Sequence, residues 1–382
     1  MSEWNDIKLS EVITDIAAGP FGSNLPKNCF LDAGFPIIDG ANLKEFKVTD
    51  NITKYVSEEK ARSLTRSIAK RGDVVVTISG TVGQISYIPE SSKYTDYLVS
   101  QRQFRCTFDS SKISTPYIVY YFHSYEGRSK ILQFANQVGV PALSQPLKNF
   151  RNIQLSIPSL SEQKKIAGIL SALDEKIETN RKINARLEEL AQAIFKSWFI
   201  DFEPFGGKMP EDWSLCKLED IAIITSGKRP ADKKTEYDFL QPYPIVGASS
   251  IMGYTSNFLY DEPILVIGRV GTHGIVQRWN NKCWPSDNTL VIKSSFYNFV
   301  YYILMGIDYN SLNRGSTQPL ITQTDIKQIK LVLPTLEILY EFENKVSSIF
   351  KQIAILKKES ERLASLRDTL LPKLMSGVVN FL

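Results

Sequence analysis

Five short motifs occur twice in this chain, in the same order, and a long helical segment follows each set. Trp4, Lys8, Leu9 and Val12 return with the same spacing as Trp213, Lys217, Leu218 and Ile221. Pro36-Ile37-Ile38 with Gly40-Ala41 returns as Pro244-Ile245-Val246 with Gly247-Ala248. Gly80-Thr81-Val82-Gly83 returns as Gly271-Thr272-His273-Gly274, Gln145-Pro146-Leu147 as Gln318-Pro319-Leu320, and Ile157-Pro158 as Leu333-Pro334. One such match would carry nothing; five in register define an internal repeat. The offset shrinks from 209 to 191 to 173 and then holds at 176 through the helices. The second globular copy therefore has shorter loops, while the helical segments keep equal length. Variable loops on a fixed frame suit a recognition module.

Each globular copy reads as short strands broken by turns. Asp73-Val74-Val75-Val76-Thr77-Ile78-Ser79 and Ile264-Leu265-Val266-Ile267 are β-rich runs that end near glycines. Gly19-Pro20-Phe21-Gly22, Gly34-Phe35-Pro36 and Gly227-Lys228-Arg229-Pro230 are turn signals. The expectation is an α+β fold: two globular domains with curved β-sheets. A Gly-Thr-x-Gly turn after a strand lets backbone approach a ligand closely, and it equally suits a tight turn with no ligand. Candidate nucleic-acid contacts are the polar and basic residues near these turns. In the first copy they are Gly80, Thr81, Gln84, Gln101, Arg102 and Gln103. In the second they are Arg269, Thr272, His273, Arg278, Asn313, Arg314 and Gln318, with Lys228 and Arg229 as phosphate contacts. Arginine can fork onto guanine, and asparagine or glutamine onto adenine; for any one of them a solvated surface side chain is the more ordinary reading.

Residues 159–199 carry the strongest helical signal. Pro158 bars a preceding turn of helix, and Ser159-x-x-Glu162 is a capping box. A heptad starting at Ile166 places Ile166, Leu173, Asn180, Leu187 and Ile194 at a, and Leu170, Ile177, Asn184, Ala191 and Trp198 at d. Adding 176 gives Phe342, Ile349, Leu356, Leu363 and Leu370 at a, and Val346, Ile353, Ser360, Arg367 and Leu374 at d. Neither seam is stable alone in water. The two are expected to pair as an antiparallel coiled coil, which makes a pseudo-two-fold repeat inside one chain; the alternative is that each helix caps its own domain. At about 1.5 Å per residue such helices run roughly 60 Å. The expected boundaries are 1–158, 159–200, 201–212 as linker, 213–335 and 336–377. The helix ends hold more apolar surface than one partner helix covers. Phe195, Trp198, Phe199, Leu370, Leu371 and Leu374 are therefore candidates for docking another protein, or for burial against the adjacent copy.

Composition narrows the class. With 43% hydrophobic and 11% aromatic residues the chain is ordered rather than disordered. It has no long apolar run, so no membrane span is expected, and its polar start, Met1-Ser2-Glu3, argues against a signal peptide. Four cysteines (Cys29, Cys106, Cys216, Cys283) lack metal-finger spacing, and the histidines are His123 and His273. A disulfide or zinc scaffold is not expected, and a cytoplasmic location is. A net charge of +4 requires any DNA-binding residues to be gathered on one face. No phosphate-cradling loop, Asn-Pro-Pro-aromatic run or spaced carboxylate pair appears, so neither catalytic nor metal residues are assigned.

Pro158-Ser159-Leu160-Ser161-Glu162-Gln163-Lys164-Lys165-Ile166-Ala167, with Leu173-Asp174-Glu175-Lys176-Ile177 after it, resembles the spacer helix of type I restriction–modification specificity subunits. Leu366-Arg367-Asp368-Thr369-Leu370-Leu371-Pro372-Lys373-Leu374-Met375-Ser376-Gly377 is similar to the closing motif of that family. The resemblance implies two target recognition domains that each read half of a bipartite, asymmetric double-stranded DNA site, with the helices as a ruler. It implies two methyltransferase subunits and two motor-nuclease subunits as partners. S-adenosylmethionine, ATP and Mg2+ would be held by those partners, with none in this chain, and methylation would fall on adenine N6. The second spacer starts Pro334-Thr335-Leu336-Glu337-Ile338-Leu339 and lacks the Glu-Gln-Lys-Lys pattern of the first. The rival reading is a coiled-coil scaffold whose globular copies bind proteins without selecting a DNA sequence.

Overall fold

The structure is a computed structural model that describes residues 4–136, 139–270, 274–312 and 320–378. The first copy starts with β1 (Asn5–Lys8), β2 (Ile13–Ala18), β3 (Phe35–Ile38), β4 (Tyr55–Val56), α1 (Glu58–Arg62) and β5 (Ile68–Lys70). It continues through β6 (Val74–Thr77), β7 (Ile85–Tyr87), β8 (Asp96–Val99), β9 (Gln103–Phe108), α2 (Thr115–His123) and α3 (Tyr125–Leu132). The pair β10 (Ala135–Asn136) and β11 (Ala142–Leu143), α4 (Pro146–Arg151) and β12 (Gln154–Ile157) complete it, and α5 (Leu160–Phe199) follows. The second copy opens with β13 (Ser214–Lys217), β14 (Ile223–Ser226), β15 (Tyr243–Val246), β16 (Ile251–Thr255) and β17 (Ile264–Gly268). Next come β18 (Val276–Trp279), β19 (Trp284–Pro285), β20 (Thr289–Lys293), α6 (Tyr297–Met305), α7 (Gln323–Lys327) and β21 (Lys330–Leu333), and α8 (Leu336–Met375) ends it.

Topology carries the repeat further than sequence does. One sheet runs β2-β9-β6-β7 in the first copy and β14-β20-β17-β18 in the second, so the strand order is the same. The other runs β4-β3-β8-β5 and β16-β15-β19. Each contains one parallel pairing, Ile37 with Leu98 and Ile245 with Trp284. Among the described residues the second copy has no counterpart of β5, which is one place where its loops are shorter. Each copy is tied off by its first and last strands, Asn5 opposite Ile157 and Ser214 opposite Leu333. β6 and β17 are apolar over Val74–Val76 and Ile264–Ile267 because every residue in them is buried, away from solvent on both faces.

Contacts divide the chain inside the long helices, into Met1–Thr179 with Glu359–Leu382, and Asn180–Lys358. In the first unit Val76, Phe104, Tyr117 and Tyr120 pack with Ile166 and Leu170 of α5 and with Leu371 and Leu374 of α8. There Asp174 meets Arg367 at 2.6 Å and Lys176 meets Glu359 at 3.6 Å, so α5 and α8 run in opposite directions. In the second unit Leu265, Ile267, Phe299 and Tyr302 pack with Phe195, Phe199, Phe342 and Val346. Glu188 lies 3.5 Å from Lys357 and the rings of Trp198 and Phe342 are 6.1 Å apart, which again makes the helices antiparallel. Ile166, Leu170, Ile177, Val346, Ile353 and Leu356 are buried, and Leu173, Leu187, Ile194, Ile349 and Leu363 half-buried.

The start of α5 explains its own motif. Ser159 Oγ accepts from Glu162 N at 3.3 Å. Gln163 is buried, donates to Pro158 O at 2.9 Å, and accepts from Ser114 N, the cap of α2, at 2.9 Å. In the second copy the corresponding service comes from Glu343 on α8, which accepts from Phe299 N of α6 at 2.8 Å and from Asn298 Nδ2 at 2.7 Å. No helix among the described residues is long and apolar enough to cross a membrane.

Candidate nucleic-acid interface

A tight turn between the end of one sheet and the start of the other is built alike in both copies. In the first it is Ser100-Gln101-Arg102-Gln103, between β8 and β9. Ser100 N donates to Ile38 O at 3.0 Å, Gln103 N to Ser100 O at 3.1 Å, Gly19 N to Gln103 O at 2.8 Å and Ile78 N to Arg102 O at 2.7 Å. In the second it is Ser286-Asp287-Asn288-Thr289, between β19 and β20. Ser286 N donates to Val246 O at 2.9 Å, Thr289 N to Ser286 O at 3.0 Å, Gly227 N to Thr289 O at 3.0 Å and Arg269 N to Asn288 O at 3.0 Å. A Cβ at Gly19 would overlap the Ser100 carbonyl, and one at Gly227 the Ser286 carbonyl, so both positions admit only glycine. The backbone is thus fixed four ways, while Gln101 and Arg102, like Asn288, are exposed.

The structure brings most of the expected first-copy residues together. Gly80 takes φ +90° where the chain leaves β6. Thr81 is exposed and donates to Gln84 Oε1 at 2.6 Å. A Cβ at Gly40 would stand 3.6 Å from Thr81 Oγ1, Gln84 Oε1 and Gln103 Nε2, so the 40, 81 and 103 loops meet at one point. A cleft of about 600 Å3 opens there, lined by Lys44, Thr81, Gln84, His123 and Arg128 among others. Gln103 is a correction: it is 2% exposed and accepts from Ser100 Oγ, because the first residue of β9 faces inward with Arg105 two places on. It braces the turn from beneath and does not reach out.

In the second copy Lys228 and Arg229 are exposed, and Arg229 pairs with Asp287 at 3.3 Å. Lys228 is held through its backbone, with its carbonyl accepting from Trp284 Nε1 at 2.7 Å. The loop beyond is anchored by Asp232, which accepts from Thr255 Oγ1 at 2.5 Å, Gln241 Nε2 at 2.6 Å and Ser256 N at 3.1 Å. Those donors, the Thr255 hydroxyl foremost, hold its carboxyl down at about 2. Arg269 is half-buried and reaches Ser226 Oγ at 3.4 Å. Thr272, His273, Asn313, Arg314 and Gln318 lie outside the described residues.

Arg278 is not a base reader. It shares a face of β18 with Val276, the face covered by α6. Its guanidinium lies 4.6 Å from the ring of Tyr297, 4.7 Å from Tyr301 and 3.5 Å from Phe350, and it donates to Asn298 Oδ1 at 2.6 Å. Burial lowers its pKa from the ordinary arginine value, and burial raises that of Glu343 beside Asn298. For the helix-end residues, of the two covers the sequence left open, the structure shows the adjacent copy. Phe195, Phe199, Leu371 and Leu374 are buried in the cores of their own units, and Leu370 and Trp198 are half-buried against them. The apolar excess read from sequence is covered by the chain's own globular copies, which leaves no exposed aromatic docking face at those positions. Among the described residues no group of three acidic, histidine or cysteine side chains could hold a metal ion.

Sequence reading missed Asp287 and Asn288, the counterparts of Gln101 and Arg102. A signal existed: their offset of 186 falls between the 191 of the glycine motif and the 173 of Gln-Pro-Leu. It missed Phe21 as well, because a single aromatic in a glycine turn has no pattern.

Comparisons with known proteins bear on both copies together. The type I restriction modification DNA specificity domain matches residues 1–189 and again 210–365. The chain is 24% identical to the type I restriction enzyme MjaIX specificity subunit of Methanocaldococcus jannaschii, over 98% of this chain and 93% of that one. It is 22% identical to the HindI specificity subunit of Haemophilus influenzae, over 99% and 100%. The crystal structure of a type I restriction–modification S subunit from M. genitalium shares the fold, with a TM-score of 0.66 at 15% identity over 98% of this chain and 96% of that one. Two matched copies, each with its own turn on a common frame, make this chain a member of the type I restriction–modification specificity-subunit family.

Proposed function

We propose that this chain selects DNA sequence for a type I restriction–modification complex, each copy reading one half of a bipartite target in double-stranded DNA. The observation that carries the reading is the pair of turns: one backbone frame, repeated, presents Gln101-Arg102 in one copy and Asp287-Asn288 in the other. Like frames with unlike side chains are what two different half-sites require. An arginine such as Arg102 can fork onto guanine and an asparagine such as Asn288 onto adenine, while the exposed cations Lys228 and Arg229 suit phosphates. The chain supplies no chemistry. Two methyltransferase subunits and two motor-nuclease subunits would bring S-adenosylmethionine, ATP and Mg2+, in the cytoplasm where the DNA is.

Single-molecule methylome sequencing of a host carrying the system gives the target. A duplex bearing that target is then titrated with the chain and its methyltransferase partner at several salt concentrations. Selective binding that weakens as salt rises is expected. R102A should relax one half-site and N288A the other, each by about 1–3 kcal/mol. Equal affinity for target and scrambled duplexes would instead favour the scaffold reading.

A further inference from the structure

The loop that leads onto the reading turn ends in an aromatic ring in one copy and a guanidinium in the other. Gly19 and Gly227 make the same hydrogen bond to the turn, so Phe21 corresponds to Arg229. Both tips face solvent: Phe21 is 82% exposed and the Arg229 side chain 85%. A lone exposed apolar side chain is ordinary; the mounting of this one is not. Gly19 N bonds Gln103 O at 2.8 Å, and Gly19 lies too close to the Ser100 carbonyl to carry a Cβ. Past the ring the chain makes a helical turn, Asn24 N to Phe21 O at 2.8 Å and Leu25 N to Gly22 O at 3.3 Å. Leu25 is then buried with Ile37, Val56 and Leu98. A Cβ at Gly22 would stand 2.8 Å from Gln101 Oε1, so the residue that follows the ring lies against a base-reading candidate. The backbone that carries the ring is therefore fixed on both sides, and it holds the ring out in water at the edge of the turn.

Building on the DNA reading above, we propose that Phe21 is an aromatic wedge that enters a base step at the margin of the half-site read by the first copy. Phenylalanine offers a phosphate nothing, whereas its faces match those of bases, and apolar wedges of this kind unstack and kink a step. Arg229, at the same place in the second copy, pairs with Asp287 and is suited to a phosphate. The two halves then differ in kind. The first gains specificity from a step that opens easily, pyrimidine–purine above all, and the second gains affinity from charge.

The test uses the full chain with its methyltransferase partner and duplexes carrying 2-aminopurine in turn at each position in and around the target. Unaltered protein should brighten the probe at one step near the first half-site, at a position other than the methylated adenine. F21A should abolish that gain and weaken binding on the order of 10-fold. F21W should keep the gain, and R229A should keep it while lowering the salt slope by about one. Selective binding with no brightening at any such step, or an F21A variant indistinguishable from the unaltered protein, overturns the wedge and leaves the DNA reading standing. Absence of selective binding by the unaltered protein overturns both.

Discussion

The two copies solve the same structural problems with different side chains. Each holds its reading turn by four corresponding backbone hydrogen bonds, yet one turn shows Gln101-Arg102 next to the loop of Phe21 and the other Asp287-Asn288 beside Arg229. Each fastens a helix of the copy to a long helix, yet the first uses the neutral amide of Gln163 and the second the carboxylate of Glu343, reached from one turn further along. Backbone groups recur because every residue carries the same donor and acceptor, so a frame made of them survives sequence change. Side chains that only touch solvent or a ligand are free to differ. The departure in the second spacer motif is thus no loss of the fastening, only its transfer from the amide at 163 to the carboxylate at 343.

The largest expected effect sits in the helical seam, where the copies correspond residue for residue. Phe342 and Ile166 occupy matching a positions and both are buried. Phe342 also packs against Phe195, Trp198, Phe199 and Tyr302. F342A should cost about 4 kcal/mol and I166A about 3 kcal/mol, read from denaturant midpoints. Equal costs would say that the aromatic cluster of the second unit adds nothing beyond an aliphatic seam.

A smaller effect tests the shared frame. G19A and G227A each push a methyl group into a serine carbonyl and should cost similar amounts, roughly 2–3 kcal/mol. Each should blur recognition at one half-site alone, as scored by methylome sequencing. A tolerated G227A beside a disruptive G19A would mean the frames are not equivalent.

The smallest effect separates the copies by pH. His123 is half-buried and donates from Nε2 to Ile85 O at 2.7 Å, and desolvation holds its pKa below the ordinary 6.5. The unfolded chain takes up that proton first, so this contribution to stability is complete above pH 6.5 and is lost as pH falls below it. Burial raises Glu343 above 4.5, so here the folded state keeps the proton longer, and its contribution is present below pH 4.5 and lost as pH rises through the folded value. H123Q should flatten the first slope and E343Q the second, in thermal melts across pH 4–8. Slopes of the same sign would contradict the burial of one of the two groups.

How much could be read beforehand follows from how local each signal is. The seam from Ile166 to Leu374 was legible because heptad spacing is a property of consecutive residues. The α5 start was legible because Pro158 and Ser159 act within one turn. The inward facing of Gln103 and Arg278 was not, since a strand residue's face depends on which helix lies over the sheet, and nothing in Val276-Gln277-Arg278 names α6. For Phe195, Phe199, Leu371 and Leu374 the sequence left two covers open, another protein or the adjacent copy, because it showed that these groups must leave water and only the packing shows the adjacent copy over them.

By itself, then, the sequence determined that the chain is a repeat, where its long helices begin and which of their faces are apolar, because those properties reside in residues near one another. Tertiary structure alone decided which polar side chains are presented and which are used as braces. It also brought Gly22, and with it the loop that carries Phe21, against Gln101, 79 residues later in the chain, because strand pairing joins segments whose separation in sequence carries no record of their distance in space.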